Sequence, residues 1–324
     1  MPDSRALALH ACAQLLKGLA ILSAVVGLTA CQSSGNEPVN ENAPPVVEVT
    51  AADYAFAAPD TIPAGWVTFR MENRGEESHH FHFDRLPEGW TVAEWQETIK
   101  EPADSVVQLL RAGTIDSVDA ERAFVQIGPD SVRAGDVLGA AQTHGGVGLV
   151  APGRTGQATH HVDPGHYVMI CVIDDPSGRS HAGLGMMHGL VATGSSAGRS
   201  PPAPDAMVRA AGREIRMEGP LTAGRRTIGF RVEEVPRKYR GGTDGYYSVW
   251  LARLDDTTDT QDVAAWRFNN PAPYESLGGF EYLPPSDTAY VTTDLEPGRY
   301  AWVWFYEGMG ADDDSPFVKP FTVE

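Results

Sequence analysis

Cysteine and histidine are unevenly placed in this sequence of 324 residues. Of ten histidines, nine lie between His79 and His188, and none follows. The cysteines are Cys12, Cys31 and Cys171. The turn-forming Asn73-Arg74-Gly75 leads through Glu76-Glu77-Ser78 into His79-His80-Phe81-His82-Phe83. Farther on, Tyr167-Val168-Met169-Ile170 runs into Cys171, a loop follows, and His181 precedes Met186 in the spacing Cys-x9-His-x4-Met. One thiolate, two imidazoles and a weak thioether are the donors of a one-electron copper site, since soft sulfur with imidazole suits both Cu(I) and Cu(II). Each residue alone is ordinary: a lone Cys is a small buried hydrophobe, and a lone Met fills a core. Gathered in one stretch of chain, they point to one type 1 copper.

Such donors need a rigid frame, and the sequence supplies strands. Glycine (34) and proline (24) are abundant, which fits many short strands joined by turns better than a helical bundle. Val46-Val47-Glu48-Val49-Thr50 and Trp66-Val67-Thr68-Phe69-Arg70 read as strands. By strand period, His79, Phe81 and Phe83 share one face and His80, His82 and Asp84 the other. The aromatic face is expected toward the core.

The pattern occurs twice. Residues 145–172 and 278–305 align without a gap at an offset of 133, with Gly145-Gly146, Pro152, Thr155, Thr159, Pro164-Gly165 and Tyr167 matched by Gly278-Gly279, Pro285, Thr288, Thr292, Pro297-Gly298 and Tyr300. Ala64-Gly65 and Ala223-Gly224 extend the match upstream, and preserved order over such a length marks a duplication. A Pro-rich linker at 197–206 separates expected domains at 46–196 and 207–324. The first copy is longer: Gly145 lies 59 positions after Leu86, whereas Gly278 lies 24 after Leu254. This insertion, about 90–142, looks partly helical at 92–99 and 106–110. The fold class expected is all-β, two tandem Greek-key β-sandwiches of about seven or eight strands each. The second copy has neither His nor Cys, and the register puts Trp304 at the place of Cys171 and Phe317 at that of Met186. Aromatic bulk is expected to fill any former metal cavity there.

The first thirty residues read as an export signal: Arg5 and Lys17, then an apolar run from Leu19 to Ala30 too short to span a membrane and remain there. Leu28-Thr29-Ala30-Cys31 resembles the bacterial lipobox, which implies cleavage before Cys31 and its acylation. Residues 31–45 are then a polar tether. Gln32 after the cysteine, by the same resemblance, implies the periplasmic face of the outer membrane. Cleavage leaves 23 basic and 42 acidic side chains, a net charge of −19. No basic stripe is present to meet phosphates, which excludes nucleic acid as a partner. With Cys31 lipidated, Cys171 is the one free thiol in an oxidising compartment.

The order of donors resembles the cupredoxins, the plastocyanin and azurin-like blue copper proteins, and the Cys-loop-His-x4-Met tail is also similar to the type 1 domain of copper nitrite reductases. The resemblance implies two cupredoxin-like sandwiches, the second degenerate, and a copper held by His79, Cys171, His181 and Met186. In that family the ligand His opens its strand pointing inward, which selects His79. The interval from Gly75 to His79 is one residue longer than in plastocyanin and leaves His80 as the fallback. The implied function is electron transfer in the cell envelope with a redox partner protein. A copper-holding or copper-delivery lipoprotein and a metal-free partner-binding module are the alternatives. Enzymatic nitrite reduction or oxidation would need a second set of ligands, which the chain lacks, so no enzyme is expected.

Overall fold

The computed structural model describes residues 42–95, 97, 109, 142–194, 199–211, 214–234, 246–266, 270–307 and 316–324. The export signal, Cys31, most of the tether and most of the insertion lie outside them. Asn40–Glu324 form one compact unit.

The alternation of apolar and polar residues yields strands throughout. In chain order they are β1 (Val46–Ala52), β2 (Ala55–Ala57), β3 (Thr61–Pro63), β4 (Gly65–Asn73), β5 (His79–Arg85), β6 (Gln142–Val150), β7 (Thr155–Val162), β8 (Gly165–Ile170) and β9 (Met187–Thr193) from the first copy. The second copy gives β10 (Ala206–Ala211), β11 (Glu214–Glu218), β12 (Gly224–Glu234), β13 (Tyr246–Leu254), the short helix α1 (Thr260–Ala265), β14 (Glu275–Leu283), β15 (Thr288–Leu295), β16 (Gly298–Glu307) and β17 (Phe317–Val323). Within the expected insertion, residues 92–94 and Trp95 start a helical turn. Thr91 and Glu94 cap it reciprocally, with Thr91 N donating to Glu94 Oε2 at 3.0 Å and Glu94 N to Thr91 Oγ1 at 3.2 Å. Trp95 packs there with Leu86, Val168, Ile170 and Ala182.

These strands make two sheets, ordered β11-β10-β12-β15-β7-β4-β1-β2 and β17-β16-β13-β14-β6-β5-β8-β9-β3. Both run through both copies. The seam is antiparallel: Tyr290 pairs with Thr159 and Val291 with Ala158 in one sheet, Leu277 with Val150 and Phe280 with Val147 in the other. The expectation of two tandem Greek-key, cupredoxin-like sandwiches is therefore corrected. The chain passes back and forth between two continuous layers, a solenoid-like stack of coils in which each coil lays segments in both sheets. Glycine is the physical reason. A Cβ on Gly148 would meet Gly279 Cα at 2.9 Å, and one on Gly278 would meet Gly156 Cα at 3.0 Å. Backbones of the two copies thus approach where a side chain would hold them apart, and β6 and β7 find β14 and β15 as neighbours instead of ending as open edges.

Corresponding residues make the same contacts in both copies. Tyr167 Oη donates to Asp163 O at 2.9 Å, and Tyr300 Oη to Glu296 O at 2.8 Å. Thr68 and Thr159 hydroxyls are 2.8 Å apart, those of Thr227 and Thr292 3.1 Å. Between the sheets lies one apolar core, which includes Phe69, Phe81, Phe83, Cys171 and Met186 from the first copy and Phe230, Phe280 and Trp302 from the second.

Candidate metal centre

His79 opens β5, and Cys171 follows directly on the end of its antiparallel neighbour β8, so the two sit at the same end of adjacent strands. The loop from Cys171 to Met186 is folded back on itself. Asp174 bridges Ser180, His181 N donates to Ile173 O at 2.9 Å, Met186 N to His181 O at 2.8 Å, and Cys171 N to Met186 O at 3.3 Å. Asp175 pins the tip, accepting from Arg179 N at 2.8 Å and from Ser177 Oγ at 2.7 Å. Burial works against its charge, yet the Arg179 amide, the Ser177 hydroxyl and the Arg179 guanidinium hold its pKa at about 2.

Donor atoms of His79, Cys171 and His181 lie within 4.8 Å of one another, and all three residues are fully buried. His79 Nδ1 is 3.1 Å from His181 Nδ1, and Cys171 Sγ is 3.5 Å from His181 Nδ1. The far nitrogens are anchored to carboxylates. His79 Nε2 donates to Asp53 Oδ1 at 2.6 Å and His181 Nε2 to Glu77 Oε2 at 2.9 Å. Those bonds place the ring protons on Nε2 and leave both Nδ1 lone pairs facing inward. A carboxylate behind each imidazole is the usual outer partner of a metal-ligating histidine.

Several groups maintain this arrangement. Asp53, in the turn from β1 to β2, reaches across from the other sheet. Glu77 also accepts from Tyr54 Oη at 3.0 Å. Asn73 ties the turn before β5, donating to Glu77 O at 2.7 Å and Val150 O at 2.8 Å while Gly75 N donates to its Oδ1 at 2.9 Å. Gly75 has no room for a side chain: a Cβ there would lie 2.8 Å from His79 Nε2 and collide with the Asp53 carboxylate.

Burial lowers the pKa of His79 to about 4 despite Asp53, and that of His181 to about 4. Both rings are neutral at pH 7. Burial pushes the Cys171 thiol up to about 12, against the pull of the His80 and Ile173 backbone N–H groups. Burial also raises Asp53, but the Glu76 amide and His79 bring it below the ordinary carboxylate value.

His80 lies on the opposite face of β5. It is buried as well, because the second copy covers that face. His80 Nδ1 donates to Glu281 Oε1 at 3.0 Å and its Nε2 accepts from Val172 N at 3.1 Å. His82 packs against Tyr282, with ring centroids 4.6 Å apart. His160 is buried; its Nε2 donates to Gly146 O at 2.6 Å, and burial lowers its pKa to about 3. His144, His161, His166 and His188 lie apart from the cluster. In the second copy Trp304 is buried at the register of Cys171, its ring 5.3 Å from that of Phe317. Asp53, Glu77, Asn270 and Glu281 carry no spacing signal in the sequence.

No family model matches the sequence, and no curated protein does. Among solved structures, it is similar to the dithionite-reduced auracyanin of Roseiflexus castenholzii at 20% identity, over 46% of this chain and 97% of that one, with a TM-score of 0.25. It is similar to auracyanin A of Chloroflexus aurantiacus, a "blue" copper protein, at 17% identity over 46% and 99%, with a TM-score of 0.26. It is similar to the copper-containing nitrite reductase of Thermus scotoductus at 12% identity over 87% and 62%, with a TM-score of 0.21. The similarities are distant, and the cluster of His79, Cys171 and His181 stands as a candidate metal centre on its own geometry.

Proposed function

We propose that the first copy holds one type 1 copper and serves electron transfer, on a chain tethered to the cell-envelope membrane through lipidated Cys31. The observation that carries this reading is the convergence of two Nδ1 lone pairs and one sulfur within 4.8 Å. With both Nε2 protons committed to Asp53 and Glu77, the inward nitrogens repel each other unless a cation or a shared proton lies between them. Neutral imidazoles and a soft sulfur fit copper by the chemistry of the donors. Copper, when bound, would supply one-electron exchange between Cu(I) and Cu(II). His79 and His181 would bind through Nδ1 and Cys171 through Sγ. Met186, buried and hydrogen-bonded through its backbone to both Cys171 and His181, would add its thioether to the donors. Asp53 and Glu77 orient the rings, and the three donors are fully buried. In this reading the chain is a carrier, with a redox partner protein on the periplasmic face of the outer membrane.

Metal analysis and the visible spectrum of the purified chain test it. One copper per chain with a strong thiolate-to-copper band is the expected result; two coppers, or none after reconstitution, defeat the proposal. Exclusive Cu(I) binding without a visible band would favour holding or delivery of copper.

The tether has its own test. Cys31→Ser is expected to move the protein from membrane to soluble fractions with copper content unchanged, and a variant that stays with the membrane at low and high salt refutes the anchor.

A further inference from the structure

Two side chains of the second copy reach the segments that carry the candidate ligands. Asn270, in the loop between α1 and β14, is buried. Its Oδ1 accepts from Ser78 N at 2.9 Å, the residue before His79. Its Nδ2 donates to Glu77 Oε2 at 3.1 Å, the oxygen that also holds His181 Nε2. Its Nδ2 also donates to Asp174 O at 3.3 Å, inside the Cys171–His181 loop, a carbonyl that accepts from the Asn270 backbone N at 3.0 Å as well. One amide thus ties the approach to His79, the partner of His181 and the loop after Cys171.

Glu281, on β14, acts from the other side. Its Oε1 accepts from His80 Nδ1 at 3.0 Å and from Trp250 Nε1 at 2.5 Å. The His80 ring, so oriented, presents Nε2 to Val172 N at 3.1 Å, the peptide that leaves Cys171. Both Glu281 and His80 are buried, so neither bond is exchanged readily for one to water.

We infer that the second copy, which has no His or Cys, is part of the metal centre: Asn270 and Glu281 are positioning residues that fix the mutual spacing of His79, Cys171 and His181. The inference rests on the proposed copper site. Hydrogen-bond partners behind metal ligands typically change metal affinity about 10–100-fold when lost. The bonds described here are one step farther out, but each converges on a ligand-bearing backbone.

The test uses the whole chain and copper alone as the probe. Copper affinity and the visible spectrum are measured for wild type, Glu281→Leu, Glu281→Gln and Asn270→Ala, with Arg209→Ala as a second-copy control remote from the centre. Glu281→Gln keeps an oxygen that can accept from His80 and Trp250, whereas Glu281→Leu has none. Weakening of about 10–100-fold in Glu281→Leu and Asn270→Ala, with Glu281→Gln and Arg209→Ala at the wild-type value, is expected. Wild-type affinity and spectrum in both Glu281→Leu and Asn270→Ala overturn the inference. So does an equal loss in Glu281→Gln, which would show that charge and not the hydrogen bond matters. Melting of the metal-free proteins checks folding, and Asn270→Ala, in a loop, decides alone should Glu281→Leu not fold. Absence of copper from wild type refutes the proposed copper site and is thereby distinct from failure of this inference.

Discussion

Cys171→Ala is expected to abolish the visible charge-transfer band of the copper-loaded protein and to weaken copper binding by more than the about 100-fold typical of losing an outer hydrogen-bond partner. Only a thiolate can generate that band at this donor set, and Cys171 is the free cysteine among the described residues. The fold should tolerate the change, because the buried thiol is protonated in the metal-free protein and no charge is lost with it. The pH dependence gives a second readout. His79 and His181 are neutral above about pH 4, and the thiol keeps its proton up to about pH 12. Copper uptake between those limits releases one proton, from Cys171, so affinity should rise by about one decade per pH unit between pH 5 and pH 8. Cys171→Ala should lose that slope together with the colour. A band that survives in Cys171→Ala, read by absorption and metal titration, excludes the thiolate as a ligand.

The second large effect separates two neighbours on one strand. His79→Ala is expected to eliminate the copper spectrum, since it removes one of two converging nitrogens and leaves Asp53 beside an empty space. His80→Ala should keep a copper spectrum. Its cost falls on the fold and on affinity: the Val172 N–H loses its acceptor and Glu281 a donor, an expense of about 1–3 kcal/mol in metal-free stability for a buried group left unpaired. Copper titration and denaturant unfolding of the two variants check this. Copper lost from His80→Ala and retained by His79→Ala would reverse the assignment of the two rings.

The period of two along β5 was legible in the sequence, and Phe81 and Phe83 do lie on the core face with His79. The meaning of the opposite face was not. Nothing in the spacing of His80 and His82 tells that Trp250, Glu281 and Tyr282 lie against them, because those residues lie about 170–200 positions downstream, on β13 and β14, beyond β6 in the same sheet. The donors Cys171 and His181 could be found because a short loop must return to the same point. The carboxylates behind the rings could not, since Asp53 arrives from the other sheet and matches no motif. The repeat was plain from Gly145-Gly146 and Gly278-Gly279, yet its consequence was misread. Abundant glycine reads as a sign of turns within two separate sandwiches; at Gly148, Gly156 and Gly278 it instead lets the backbones of the two copies approach, and the expectation of separate sandwiches fails there.

That seam also bears on how the chain can be divided. Composition marks the segment before β10 as a natural cutting point, rich in proline and without apolar period. A fragment ending there would carry β6 and β7 with their outward N–H and C=O groups bare, a template for joining other fragments edge to edge. A chain cut in the proline-rich segment is therefore expected to expose one bare edge in each sheet at the seam, on whichever length is kept.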